Sequence, residues 1–323
     1  MKPDDNFSDR VFSLAELLTD PPSVVINQNK YTTFTNFLPI DQSDKNSIVF
    51  CSQIDRQGFD TITNTNANIV LAHVDLYNLF RKDFDDIHKT ILFYKNPKLA
   101  FIRILNQCYA LKAEAVIDES AKIHPAAKIA SNISIGAFAV IGKCEIGVNS
   151  SIGANTIIYD ETKIGENVKI GSSCNIGSQG FGFVKDDRGN LISFPHIGGV
   201  IIEDDVEIFP FCDVSRGSLT NTIIRKGAKL SFQVHIAHNC DIGKNCILTA
   251  AARVAGSAII NENCVLGNGS IVRDKVIVGK NVNIGAGAVV VKDIPDNVTI
   301  VGNPAEEIEQ YKKMRRHFKK YFK

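Results

Sequence analysis

Tryptophan is absent from this chain and methionine occurs twice. No C-x-x-C pair occurs among its eight cysteines, so the spacing of a zinc ribbon or a thioredoxin-like redox site is missing. No apolar run approaches the roughly 18 residues of a membrane-spanning helix, and no membrane span is expected. The opening M-K-P-D-D-N-F-S-D-R is polar and acidic, unlike the apolar centre of a secretory signal, so a cytoplasmic protein is expected. An excess of one charge is also lacking. Thirty-six Lys and Arg face 35 Asp and Glu, for a net charge of +1, which makes no case for nucleic acid as a partner. The charge is uneven, however: residues 311–323 hold seven Lys or Arg and no acid. The length of 323 residues is enough for one large or two ordinary domains.

What the chain does have is a repeat. From Ile117 an aliphatic residue recurs every six positions through Ile123, Ile129, Ile135 and Ile141. One residue is dropped, and the series resumes from Ile146 to Ile176. After an interruption come Ile202, Ile208 and Val214, then a second slip, then an unbroken run from Ile224 through Ile236 and Val254 to Val290. Six residues turn an α-helix by about 600°, which would scatter this row around the axis. With each aliphatic residue called position i, Gly often stands at i+1 and Asn at i+3, and both tolerate the positive φ of a sharp corner. Position i−2 is small, and in an extended strand it faces the same way as i. The pattern predicts a short strand and a corner per hexapeptide, three sides to a coil, and stacked coils in a β-solenoid. Six cysteines (144, 174, 212, 240, 246 and 264) fall at i−2, where a thiol acts as a small buried hydrophobe.

This lattice resembles the hexapeptide-repeat acyltransferases. The resemblance implies a left-handed parallel β-helix, a homotrimer, and active sites between adjacent subunits. The left hand comes from the resemblance alone, because ordinary crossovers are right-handed. The fold class expected is mainly β, a left-handed parallel β-helix with a small N-terminal α/β domain and a short C-terminal helix.

Residues 1–112 lack the six-residue period. S-L-A-E-L-L near residue 13 reads as a short helix, S-I-V-F-C and N-I-V-L-A as buried strands, and residues 96–109 as a helix with Pro97 in its first turn. A short linker with Ala113 and Glu114 leads into the solenoid, 113–304. The interruption, 178–199, carries D-D-R-G-N between two apolar runs and reads as a hairpin. Its Phe181 and Phe183 either line a pocket for an acyl chain or cover the edge of a coil. In the basic tail, 305–323, Tyr311, Met314, Phe318 and Tyr321 form a narrow apolar seam on a helix. That helix packs on its own solenoid or on symmetry mates, docks an acidic partner such as acyl carrier protein, or meets a membrane surface.

One hexapeptide stands apart. In F-Q-V-H-I-A-H-N-C-D-I-G, His235 is at i−1 and His238 at i+2, so neither belongs to the inward row. Imidazole titrates near neutrality and can take a proton from an attacking amine or hydroxyl. A backbone N–H in a turn can then stabilise the resulting oxyanion. Gly256, in V-A-G-S, stands 18 residues after His238, which is one full coil, so stacking brings the two together.

Here the resemblance narrows to the UDP-3-O-acylglucosamine N-acyltransferases of lipid A assembly. It is carried by F-Y-K-N-P-K-L-A-F (93–101), G-F-G-F (180–183), I-G-G-V-I-I-E-D-D-V-E-I (197–208), R-G-S-L-T-N-T-I-I (216–224) and H-I-A-H-N-C-D-I-G with V-A-G-S downstream. It implies that His238 is the general base and that the Gly256 amide is the oxyanion donor. It leaves Asn239 with the Asn of the motif in an open role, and His235 as an auxiliary or structural partner. Several positions depart from the family. The N-terminal uridine clamp, roughly F-x-x-N-P-x-Y, keeps Phe50 but has Gln53 and Arg56 in place of Asn and Tyr. Ser215 replaces an Asp, with Asp213 nearby, and Lys275 replaces a second histidine. These changes fit a relative that acylates another nucleotide-linked amino sugar as well as a diverged lipid A enzyme.

The function expected is transfer of an acyl group from an acyl thioester, on acyl carrier protein or coenzyme A, to the amine of a nucleotide-linked amino sugar in lipid A or other lipopolysaccharide biosynthesis. No bound cofactor or metal is required. Two other classes are open. One is a zinc enzyme of the carbonic anhydrase type, with His235, His238 and either His196 or another subunit as ligands. The other is a trimeric scaffold without catalysis.

Overall fold

The structure, a computed structural model, describes residues 10–27, 30–109 and 115–321. The first nine residues and the linker around Ala113 and Glu114 lie outside the described residues. The chain divides into two compact units, Met1–Lys112 and Ala113–Lys323.

In the first unit, three strands are buried on both faces and read as continuous apolar runs: Ser47–Cys51, Ile69–His73 and Thr90–Tyr94. They pair in parallel at the centre of a five-stranded sheet. Asn36–Phe37 extends it in parallel on one side and Val24–Ile26 in the antiparallel sense on the other. Helices Arg56–Asn64 and Val74–Phe80, which the apolar periodicity did not announce, join helix Pro97–Tyr109 around this sheet. Asp55 caps the helix Arg56–Asn64 by accepting from the Gly58 amide at 2.9 Å.

The second unit is the solenoid, a left-handed parallel β-helix. Its strands are two to four residues long and form three sheets. A first face of ten strands includes Lys229–Leu230, a second of nine includes His235–Ile236, and a third of eight includes Asp241–Ile242. The partner of each aliphatic i residue is the i residue of the next coil, as in Ile236↔Val254↔Val272↔Val290. Nearly all of these side chains are buried in one continuous core. Each contributes roughly 1.5–3 kcal/mol of burial, so the lattice of i positions is the main stabilising term of the unit.

The corners divide their labour more finely than the sequence pattern suggested. Positive φ is confined almost entirely to i+3, where Asn149, Asn155, Asn167, Asn239, Asn245, Asn263 and Asn281 all lie near +60°. Asparagine adds side-chain ladders there: Asn132 donates to Asn149 at 2.6 Å, Asn149 to Asn167 at 3.2 Å, and Asn167 to Asp205 at 3.3 Å. The glycines at i+1 do not need positive φ, Gly177 excepted. They are small because the next coil passes over them. A methyl on Gly153 would stand 2.4 Å from the Ser172 amide nitrogen and 2.5 Å from the Gly171 carbonyl carbon.

The cysteines also have a structural role. All six at i−2 are buried. Five of them donate S–H to corner carbonyls of the next coil: Cys174 to Phe209, Cys212 to Ser231, Cys240 to Ala255, Cys246 to Asn261 and Cys264 to Gly279, at 3.0–3.3 Å. Ser150 and Thr156 do the same to Gly165 and Gly171. Small polarity at i−2 therefore gives a corner carbonyl of the next coil a side-chain donor that alanine would lack. Burial pushes the Cys240 thiol up to about 12, so it stays protonated.

Residues Phe183–Lys185 and Leu191–Ser193 form the expected antiparallel hairpin within the interruption. The terminal helix is Ile308–Tyr321. Tyr311 is half-buried beside Gly302, while Met314 and Phe318 are exposed, and the Tyr321 side chain lies outside the described residues. No helix among the described residues is long and apolar enough to cross a membrane.

The two uses of glycine predict different costs. Gly153→Ala should lower stability by about 1–3 kcal/mol, because its methyl meets only backbone atoms that cannot turn aside. Gly269→Ala, with φ +66° and open space around it, should cost about 1–2 kcal/mol from backbone strain alone. Crystal structures of both variants check the mechanism: coil spacing should widen locally at 153 and stay unchanged at 269.

Candidate active site

The candidate residues of the solenoid gather on the edge where the second face turns into the third. The strand His235–Ile236 ends in a corner made by Ala237, His238 and Asn239, and Arg253–Val254 ends one coil later in a corner with Gly256. The in-register pairing of these strands puts His238 over Gly256. A Cβ on Gly256 would lie 2.7 Å from both Cε1 and Nε2 of the imidazole, so only glycine admits the ring there. The Gly256 carbonyl accepts from the Lys275 amide at 3.0 Å, while its own N–H has no protein acceptor among the described residues.

His238 is oriented from behind. Its Nδ1 lies 3.1 Å from Asn239 Oδ1. That oxygen already accepts from the Ser218 amide at 3.0 Å and the Ser218 hydroxyl at 2.7 Å, while Asn239 Nδ2 donates to the Thr220 hydroxyl at 2.9 Å. The amide is thereby locked with its oxygen toward the imidazole. Nδ1 must donate, and Nε2 is left with its lone pair beside Gly256.

A second imidazole supports the first. His196, buried and returning from the interruption, packs edge to face on His238 with ring centroids 5.0 Å apart. Its Nδ1–H donates to the Phe194 carbonyl at 2.9 Å, and its buried Nε2 has no hydrogen-bond partner among the described residues. Gly180 passes so close that a Cβ there would meet His196 Nε2 at 2.5 Å and His238 Cβ at 3.1 Å.

His235 has a different partner. Its Nδ1 donates to Asp213 Oδ2 at 2.9 Å, and Asp213 Oδ1 accepts from the Ser178 hydroxyl at 3.1 Å. A cavity of about 570 Å³ runs along this face and is lined by His238, Gly256, His235, Asp213, Arg253 and Phe181, among others. Asp213 and Arg253 had drawn no role from the sequence, although both stand at i−1, in register with His235 one coil to either side, and His196 had been considered only as a zinc ligand.

The remaining candidates are placed less centrally. Phe181 is 86% exposed and lines the cavity. Phe183 stacks on it edge to face at 5.1 Å but does not line that cavity. Phe50, in the first unit, is half-buried with its ring 5.0 Å from that of Phe101. Where the uridine clamp of the family has Tyr, the Arg56 guanidinium instead lies 4.9 Å over the Phe59 ring and pairs with Asp60 at 3.1 Å. No group of three or more His, Cys, Asp or Glu among the described residues is arranged to hold a metal ion. His235 is engaged by Asp213 and His196 lies behind His238, so the three histidines do not converge on one point.

Comparison with known proteins follows the same lines. Residues 257–292 match the family described as bacterial transferase hexapeptide (six repeats). A UDP-3-O-acylglucosamine N-acyltransferase from Christiangramia forsetii is 54% identical over 142 residues, 44% of this chain and 42% of that protein. The matched stretch thus spans less than half the length of that relative. Among solved structures, the UDP-N-acetylglucosamine acyltransferase of Francisella novicida superposes with a TM-score of 0.55 at 26% identity, covering 62% of this chain and 73% of that one. The enzyme of the same name from Campylobacter jejuni gives 0.54 at 26% identity, covering 64% and 84%. The six-residue lattice and the three-sided coils are thus similar to those of hexapeptide-repeat transferases, with residues 257–292 matching the family model itself.

Proposed function

We propose that this protein is an N-acyltransferase that moves an acyl group from a thioester, on acyl carrier protein or coenzyme A, to the amine of a nucleotide-linked amino sugar in lipid A or related surface-polysaccharide synthesis. The observation that carries the reading is the His238 ring, held at Nδ1 by Asn239 and with Nε2 packed over Gly256 one coil step on. The names of the sequence relatives supply both the acceptor class and the choice of an amine over a hydroxyl, since a base and an oxyanion donor serve either nucleophile. The homotrimer and the cytoplasmic setting implied by the resemblance belong to the same proposal.

In the first step the sugar amine attacks the thioester carbonyl carbon while His238 Nε2 takes its proton. The positive charge on the ring is shared through Nδ1–H with Asn239 Oδ1. The carbonyl oxygen becomes an oxyanion within reach of the Gly256 N–H. In the second step the tetrahedral centre collapses, the C–S bond breaks, and the proton on Nε2 goes to the departing thiolate. The products are an amide and a free thiol, and His238 returns to its starting form. The buried His196 and the Gly180 backbone keep the ring from swinging off this line.

His238→Ala should lower turnover by about 10²- to 10⁴-fold in a thiol-release assay while the thermal unfolding midpoint stays close to wild type, because His238 lies outside the inward row. Near-normal turnover in that variant rejects the assignment. Gly256→Ala should also lose about 10²-fold, since its methyl pushes the imidazole aside. Its stability should hold, because the group it displaces is a side chain. Wild-type turnover in Gly256→Ala would show that the ring does not work from this position.

A further inference from the structure

The i−1 row of the second face is an ordered column of side chains beside the candidate base. Asp213 pairs in register with His235, and His235 with Arg253. Parallel neighbours sit about 4.8 Å apart, so three polar side chains climb one wall of the cavity in equal steps. The column is not neutral in its pairing. The Asp213 carboxylate is engaged on both oxygens, by His235 at 2.9 Å and Ser178 at 3.1 Å. Arg253 has no ion pair and no side-chain hydrogen bond among the described residues. Asp213 is two coil steps away, about 10 Å, and the residue after Arg253 in the column is the apolar Ile271. Arg253 is therefore a cavity-lining cation to which no described residue supplies a counter-ion.

We propose that Arg253 is the anion clamp of the acceptor site, binding the phosphate of a phosphorylated amino sugar and thereby holding its amine at His238. The inference rests on the function proposed above and adds a residue and a recognition chemistry to it. A guanidinium matches phosphate with two parallel N–H···O bonds. Arg253 stands to Gly256 as His235 stands to His238, three residues ahead on the same face, so an anion on Arg253 sits beside the reacting centre. In a nucleotide-linked amino sugar the diphosphate is attached directly to the ring that carries the amine, a separation that suits this placement. A phosphopantetheine donor carries its phosphate at the far end of a long arm from the thioester, which does not. The neighbouring His235, with Nδ1–H committed to Asp213, offers Nε2 as an acceptor for a sugar hydroxyl.

The test uses the full-length protein and three probes: UDP-glucosamine, free glucosamine and 4′-phosphopantetheine, each titrated calorimetrically into wild type and Arg253→Gln. Loss of a charged bidentate contact should weaken UDP-glucosamine at least ~10-fold and leave the other two unchanged. In steady state, KM for the nucleotide sugar should rise by a similar factor with kcat within about threefold, because the phosphate is held equally in ground and transition states. Arg253→Lys should recover part of the loss. Unchanged binding of UDP-glucosamine overturns the inference, as does a loss confined to phosphopantetheine, which would assign the guanidinium to the donor, or a wild type that binds no UDP-glucosamine. The two readings separate cleanly. Acyl transfer that depends on His238 but is indifferent to Arg253 rejects only the clamp. Arg253-dependent binding of UDP-glucosamine without acyl transfer rejects only the enzyme.

Discussion

The structure depends on one constraint: every coil must hydrogen-bond, strand to strand and in register, to the coils above and below it. Where coils are 18 residues apart, equivalent positions stack at about the spacing of parallel strands. An inward isoleucine then always meets an inward aliphatic residue, and a corner always meets a corner. This makes the interior a single column of apolar contacts and the exterior a set of columns in which any residue has a defined neighbour one coil away. His238 over Gly256 is one such pair, and Asp213, His235 and Arg253 are three successive members of another.

The places where the period breaks are the places where the site is built. Ile164 pairs with Ile202 across the interruption, yet the ladder is in register on either side. The excursion leaves the second face after Ser178 and re-enters the third at Val200, and on the way it brings Gly180 and His196 against the back of His238. The second slip inserts R-G-S-L-T-N at the same edge one coil later. Its Ser218 and Thr220 are the groups that clamp Asn239. The two insertions also bond to each other, through the amides of Ile197 and Gly198 to the carbonyls of Gly217 and Ser218. Regular coils present the base and the amide, and irregular segments fix their orientation.

Polarity inside the solenoid follows the same economy. Cysteine, serine and threonine at i−2 are small enough for the narrow interior and can still donate to a corner carbonyl of the next coil. Asparagine at i+3 accepts a positive φ and passes a hydrogen bond along the outside. Asn239 is the same corner residue with its side chain diverted from such a ladder to the imidazole beside it. A repeat position built for folding has been turned to function without any change of backbone.

The solenoid, the burial of its cysteines and the stacking of His238 on Gly256 were legible in the sequence alone, because a strict period of six converts sequence distance directly into spatial adjacency. It did not determine what the irregular segments do. The contact of His196 with His238, the clamp on Asn239 and the exposure of Phe181 depend on where two non-repeating loops return, and no periodicity describes that path. Nor did it separate the glycines at i+1 from the asparagines at i+3, since both residue types tolerate a corner and only stacked coils reveal which one is crowded. The N-terminal helices Arg56–Asn64 and Val74–Phe80 were equally silent, being short and held in place by the sheet they cover rather than by a pattern of their own.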